Sequence, residues 1–141
     1  MEFLNIHELH HLNHWALIVS ALILWCLGAA WYSPALFVKP WMKALGVTPD
    51  GEKKGLAAGM ISSLIGDLIL SFVLWHLVTW AGATTWAGGA FIGFLCWLGF
   101  FAAPNLPQGI YERRPLSLFL INNCYWLIGL LIAGGILSVW R

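Results

Sequence analysis

The stretch LAAGMISSLIGDLILSFVLWHLVTW, Leu56–Trp80, decides the fold class. It holds one carboxylate, Asp67, one histidine, His76, and no lysine or arginine. At about 1.5 Å rise per residue it is long enough to cross the ~30 Å hydrocarbon layer of a bilayer. Lipid offers no hydrogen-bond partners to an open strand edge, so a crossing segment of this length has to be a helix. Three more stretches qualify, at residues 12–33, 84–103 and 116–139. Each boundary carries a breaker: Pro34 after the first, Gly82 between the second and third, Pro104 and Pro107 after the third.

Composition agrees. Of 141 residues, 60% are apolar and 9% charged, where a soluble domain has roughly a quarter charged. The net charge of +1 points to neither nucleic acid nor a strongly acidic partner. We therefore expect a single domain over residues 1–141, an all-α integral membrane four-helix bundle. Its first loop should hold a short interfacial helix. There Leu36, Phe37, Trp41 and Leu45 alternate with Lys39 and Lys43, whose stems can snorkel toward lipid headgroups. Residues 1–14 lack the basic residues of a secretory leader, so the first apolar run is expected to be retained.

Charge gives an orientation. The first loop carries Lys39, Lys43, Lys53 and Lys54, the loop before the last span carries Arg113 and Arg114, and the other side carries Arg141 alone. Basic loops stay with the cytosol. We expect a multi-pass protein of the cell (inner) membrane with both termini non-cytoplasmic. The aromatics fit two interfacial belts: Trp15, Trp75, Trp80, Trp86 and Trp140 outside, Trp31, Tyr32, Trp41 and Tyr111 inside. Trp25, Trp97 and Trp126 fall within spans, where an indole N–H seeks a partner on another helix or a bound ligand.

The segment Gly28-Ala-Ala-Trp31-Tyr32-Ser33-Pro34, continued by Phe37-Val-Lys39-Pro-Trp41-Met42-Lys43, resembles the hallmark of a family of short bacterial membrane proteins, domain of unknown function 1761. Gly93-Phe-Leu-Cys-Trp97-Leu98-Gly99-Phe100, Arg114-Pro115 and Asn122-Asn-Cys-Tyr125 agree with it. The resemblance implies a four-helix membrane domain and no known reaction, and it does not cover the histidines at the start.

Asp67 is the most informative single residue. It lies about 16 Å into its span, where an Asp costs at least ~2.5–3.5 kcal/mol and is a functional candidate by default. It belongs either to a proton or cation path or to a structural bond with another helix. With Ser63, Ser71, Asn122, Asn123 and Tyr125 it defines a candidate intramembrane polar site. Gly55, Gly59, Ser63, Asp67 and Ser71 recur every four residues, a small-residue ridge suited to close helix packing. Gly89 with Gly93, and Gly129 with Ala133, repeat that spacing. Trp31, Tyr32, Phe37, Lys39, Trp41, Lys43, Arg113 and Arg114 are the expected lipid-facing interfacial set.

Two metal or cofactor sites come into view. His7/His11 and His10/His14 are i,i+4 pairs, a spacing that lets two imidazoles share an ion or offer an axial ligand to a pigment or haem. A polar membrane-surface helix is the plainer account, and no cofactor is required by the sequence. Cys26, Cys96 and Cys124 share a depth below the inner face and could hold a soft metal only if their helices turn them together. Phosphate-loop, dinucleotide, nucleophile-elbow and zinc-protease signatures are absent from the sequence.

We expect a non-enzymatic packing or accessory subunit, in a homo-oligomer or a larger membrane complex, with lipids as its surroundings. A small transporter or channel using Asp67 is the alternative, and a lipid-active enzyme the third.

Overall fold

A computed structural model describes residues 12–48 and 55–140. Six helices follow one another there: α1 (His14–Trp31), α2 (Val38–Leu45), α3 (Leu56–Trp80), α4 (Trp86–Trp97), α5 (Ala103–Tyr111) and α6 (Leu116–Val139). His7, His10, His11, Lys53, Lys54 and Arg141 lie outside the described residues.

Local chemistry sets the ends. Asn13 caps α1, its Oδ1 accepting from the Trp15 and Ala16 amides at 3.1 and 3.2 Å. Pro40 sits in the first turn of α2, where no amide donor is needed. Gly82, at φ 66°, turns the chain between α3 and α4 in a conformation a side chain would strain. The α5–α6 corner puts a non-glycine in that region: Arg113 has φ 53°, while the Arg114 amide donates to Gly109 O at 2.9 Å.

The third span differs from expectation. Pro104 and Pro107 do not end it at residue 103. A π-helical turn, Leu98–Ala102, joins α4 to α5, and the rod runs from Trp86 to Tyr111. The Ala103 amide reaches back to Leu98 O, a five-residue step. That wider turn comes just where Pro104 withholds its donor and needs ring space, so the chain absorbs the proline instead of stopping. At 26 residues the rod is about 39 Å long, which carries α5 beyond a ~30 Å hydrocarbon layer.

Four rods result: α1, α3, α4 with α5, and α6, each long and apolar enough to cross a membrane. They alternate in direction. Trp25 meets Met60 and Ser20 meets Ser71 across α1 and α3, while Thr85 meets Ser138 and Trp97 meets Asn123 across α4 and α6. α6 is the hub, packing on α1, α3 and α4, whereas the sequence neighbours α3 and α4 barely touch. The outward faces are greasy: Ile61, Ile65 and Ile69 on α3 and Phe91 on α4 are each more than half exposed. Such faces would be aggregation patches in water and are ordinary in lipid. The chain is thus a multi-pass membrane protein.

The α4–α6 seam is the tightest. A Cβ on Gly89 would collide with the Gly134 carbonyl and the Ser138 side chain, one on Gly93 with the Leu130 carbonyl, and one on Gly134 with the Gly89 carbonyl. The backbones therefore touch directly. Ser138 Oγ lies 2.8 Å from both Thr85 O and Gly135 O, its one hydrogen shared between the helices. Gly135 makes room for the Trp86 ring and Gly129 for Leu24. Gly89, Gly93 and Gly129 are therefore packing positions. Gly59, by contrast, has open space around it, and Gly55 stands just ahead of α3 at φ 88°, also in the open.

Candidate functional site

The polar residues of the spans fall into two connected groups. The deeper one lies where α1, α3 and α6 meet. Asp67 is only 2% exposed, and its Oδ2 has no hydrogen-bond partner among the described residues. Ser71, one turn on, donates to Ser20 Oγ at 3.4 Å, and both are fully buried. Tyr125 stands within electrostatic reach of Asp67, and its hydroxyl donates to Leu24 O at 3.3 Å. Gly28 allows this, since a Cβ there would come to 3.2 Å of that hydroxyl. Toward the end opposite the first loop the interior is closed by Ala16, Leu74, Trp75, Val78 and Leu137, all buried.

The second group lies nearer the loop-bearing end. Tyr32 Oη donates to Asn122 Oδ1 at 2.8 Å, and Trp31 Nε1 donates to Ile121 O at 3.1 Å. Trp97 Nε1 donates to Asn123 O at 2.8 Å. Asn123 Nδ2 donates to Phe119 O at 2.9 Å, while its Oδ1 is buried and unpartnered among the described residues. These asparagines edge a half-open cleft of about 100 Å³ between α5 and α6. Its other polar walls are Asn105, Gln108, Glu112 and Arg114. Glu112 accepts from Gln108 Nε2 at 2.8 Å and pairs with Arg114 at the rim. A ring contact links the groups, with Tyr32 and Tyr125 centroids 5.7 Å apart and edge-on.

Asp67, Ser71 and Tyr125 thus come together, and Asn122 with Asn123 forms the adjoining cleft. Ser63 is exposed on α3 and bonds its own helix at Met60 O, so it belongs to neither group. Ser20 was not singled out by sequence, because one serine in an apolar run carries no signal until its neighbour is known. The same holds for Asn105 and Gln108, which join the third rod only because the helix continues through Pro104.

The interfacial set divides. Lys39, Lys43, Arg113 and Arg114 are exposed. Trp31, Tyr32, Phe37 and Trp41 do not form a free lipid belt. They are half-buried and pack on one another, Trp31 on Phe37 at 4.6 Å and Tyr32 on Trp41 at 5.5 Å. Trp75 likewise leaves the outer belt for the core, at 3% exposure, because it faces other helices. Of the in-span indoles, Trp25 donates to Met60 O at 2.9 Å, and Trp126 rests between Phe101 and Tyr125.

Cys26 and Cys124 are exposed and Cys96 is half-buried. Among the described residues no three His, Cys, Asp or Glu side chains stand close enough to share a metal ion. His14 is the one member of the histidine cluster described, at the start of α1.

A four-helix membrane bundle with a polar interior and a cleft at one end is the class this architecture defines. The chain belongs to the family described as Protein of unknown function (DUF1761), whose model matches residues 15–138. No curated protein and no solved structure matches it. The stretches that carry the family resemblance meet in space. Trp31 and Tyr32, Trp97, and Asn122 with Asn123 are joined by the hydrogen bonds above, although up to 90 residues separate them in the chain.

Proposed function

We propose that this protein is a small, non-enzymatic membrane transporter or channel subunit in which Asp67 takes up a proton or a small cation. The observation that carries this is the buried Asp67 carboxyl, one oxygen of which has no partner among the described residues. A structural aspartate in a bundle is held by a donor from another helix, since burying such an oxygen without one costs several kcal/mol. A proton, a cation or a water supplies what the neighbouring helices withhold. The interior is polar from the Ser20–Ser71 pair through Asp67 toward the cleft and apolar beyond that pair, which favours access to Asp67 from the cleft-bearing end.

The basic residues Lys39, Lys43, Arg113 and Arg114 belong to the cleft-bearing end, which we place in the cytoplasm of a bacterial inner membrane. Both termini are then outside.

The test is flux into proteoliposomes containing a trapped pH dye, under imposed H⁺, Na⁺ and K⁺ gradients. Wild-type protein should dissipate one of them, and Asp67→Asn should lose that activity while eluting at the same size. No dissipation of any gradient by the wild type, or equal rates for the variant, refutes the proposal.

A second reading, an accessory subunit that packs through α3 in a homo-oligomer or larger complex, is favoured by one observation. Gly59, Ser62, Ser63 and Gly66 leave one face of α3 small and uncovered. Gly59→Leu should then dissociate the assembly, with no flux at any stage.

A further inference from the structure

We infer that the ion Asp67 exchanges is a proton, not a metal cation, and that the Tyr125 hydroxyl turns from Leu24 O to the carboxylate when that proton leaves. This rests on the transport reading and adds to it the identity of the ion and a positioning residue.

The register of α1 against α3 brings the groups together. The two helices run antiparallel, and Ser20 meets Ser71 across them. One turn on along α1 is Leu24, and one turn back along α3 is Asp67, so these stand at one level. Tyr125 of α6 donates its hydroxyl to Leu24 O at 3.3 Å, within electrostatic reach of Asp67. That hydroxyl therefore stands beside the carboxyl.

The carboxyl itself is bare. Neither of its oxygens accepts a hydrogen bond from a described residue. The helices around it supply no charge, since α1, α4 and α6 contain no Asp, Glu, Lys or Arg. Their titratable groups are His14 at the far end of α1, the exposed Cys26 and Cys124, Cys96 on α4, Tyr125, and Tyr32 beyond it. His76 lies on the opposite face of α3. An ionised carboxylate so placed lacks the partners that make buried charge tolerable. A hard metal cation takes about six oxygens. Here Asp67 is joined by Ser20, Ser71 and Tyr125, whose hydroxyls are already in hydrogen bonds, and both serines are fully buried. A proton needs neither a shell of ligands nor room.

The exchange balances. The carboxyl O–H breaks, its proton passes to a water molecule from the cleft-bearing end, and the bonding pair stays on the carboxylate. The Tyr125 O–H stays whole and changes acceptor. Leu24 O is not orphaned, because the Gly28 amide bonds it within α1. Gly28, with no Cβ, also leaves space at the phenol hydroxyl.

The measurement is infrared difference spectroscopy of the purified protein in lipid, wild type against Asp67→Asn. An un-ionised carboxyl shows a C=O stretch above the amide I band, and a carboxylate does not. We expect that band at neutral pH in the wild type alone, unchanged when Na⁺ or K⁺ is varied at fixed pH. Raising the pH should remove it. In Tyr125→Phe it should persist about one to two pH units further, because the ionised form has lost a charge-assisted bond. A tyrosine that only fills space would leave the titration unmoved. The variant keeps the ring and its contacts with Tyr32 and Trp126. Tyr111→Phe, at an exposed tyrosine, is the control and should titrate as the wild type does.

No Asp67 band at neutral pH overturns the inference. Loss of the band on adding Na⁺ or K⁺ also overturns it, by making the ion a metal, and leaves the transport reading intact. A wild-type titration in Tyr125→Phe overturns the role of the tyrosine. Absence of all flux, with these spectra as expected, would sink the transport reading and leave the proton assignment standing.

Discussion

Gly89→Ala puts a methyl group in place of a hydrogen at the closest helix contact among the described residues. The new Cβ would collide with the Gly134 carbonyl oxygen and with both side-chain heavy atoms of Ser138. Two of these obstacles, a backbone carbonyl and a Cβ, cannot swing aside, so α4 and α6 have to separate. Overpacking of this kind costs about 1–3 kcal/mol. Separation also stretches the 2.8 Å contact from Ser138 Oγ to Thr85 O, an interhelical bond worth about 0.6–1.7 kcal/mol in a membrane. The expected total is about 2–5 kcal/mol, large against the ~5–15 kcal/mol that holds most folds together. The assay is reversible unfolding in mixed micelles of mild detergent and SDS, followed by tryptophan fluorescence and circular dichroism. Gly66→Ala is the control, because a Cβ there meets nothing within 4 Å. It should be neutral or slightly stabilising, by up to about 1 kcal/mol, through helix propensity. Equal stability of the two variants would mean that the α4–α6 backbones are not in contact, and the seam as described would be wrong.

Other outcomes follow from the same geometry. Trp97→Phe keeps most of the ring but loses the 2.8 Å bond to Asn123 O, and should cost about 0.5–1.5 kcal/mol in the same unfolding assay. Arg113→Gly relieves a left-handed residue at φ 53° and should stabilise by up to about 1 kcal/mol, offset in part by a freer unfolded chain; a loss of stability would contradict the corner's geometry. Single cysteines at Val47 and Ala83, in a cysteine-free background, should react with an impermeant maleimide from opposite sides of sealed vesicles. Labelling from the same side would refute the up-and-down arrangement.

Much of this protein is legible in its sequence because lipid is an undemanding solvent. Twenty or so apolar residues in a row leave the backbone no choice but to satisfy itself as a helix, and so residues 56–80 and 116–139 emerge in the structure with the bounds the pattern sets. The interfacial helix after Pro34 is legible in the alternation of lysine and aromatic residues. The depth of Asp67 follows from counting alone.

Rotation and neighbourhood are another matter. α1, α3 and α6 are apolar all round, so no stripe in the sequence says which face turns inward. Only packing decided that Asp67 faces α1 and α6 while Gly59 and Ser63 look outward from the same helix. Only packing made α6 the hub, because Gly134 and Gly135 let α4 approach it and Gly129 lets α1 do so. The π-helical turn that carries the third rod past Pro104, and with it the cleft around Asn123, depends on five-residue hydrogen bonding that local breaker rules do not contain. Sequence fixes how each helix meets lipid, since that is a property of one segment at a time. What the helices say to one another is set by the shapes of facing surfaces, which exist only once all four are assembled.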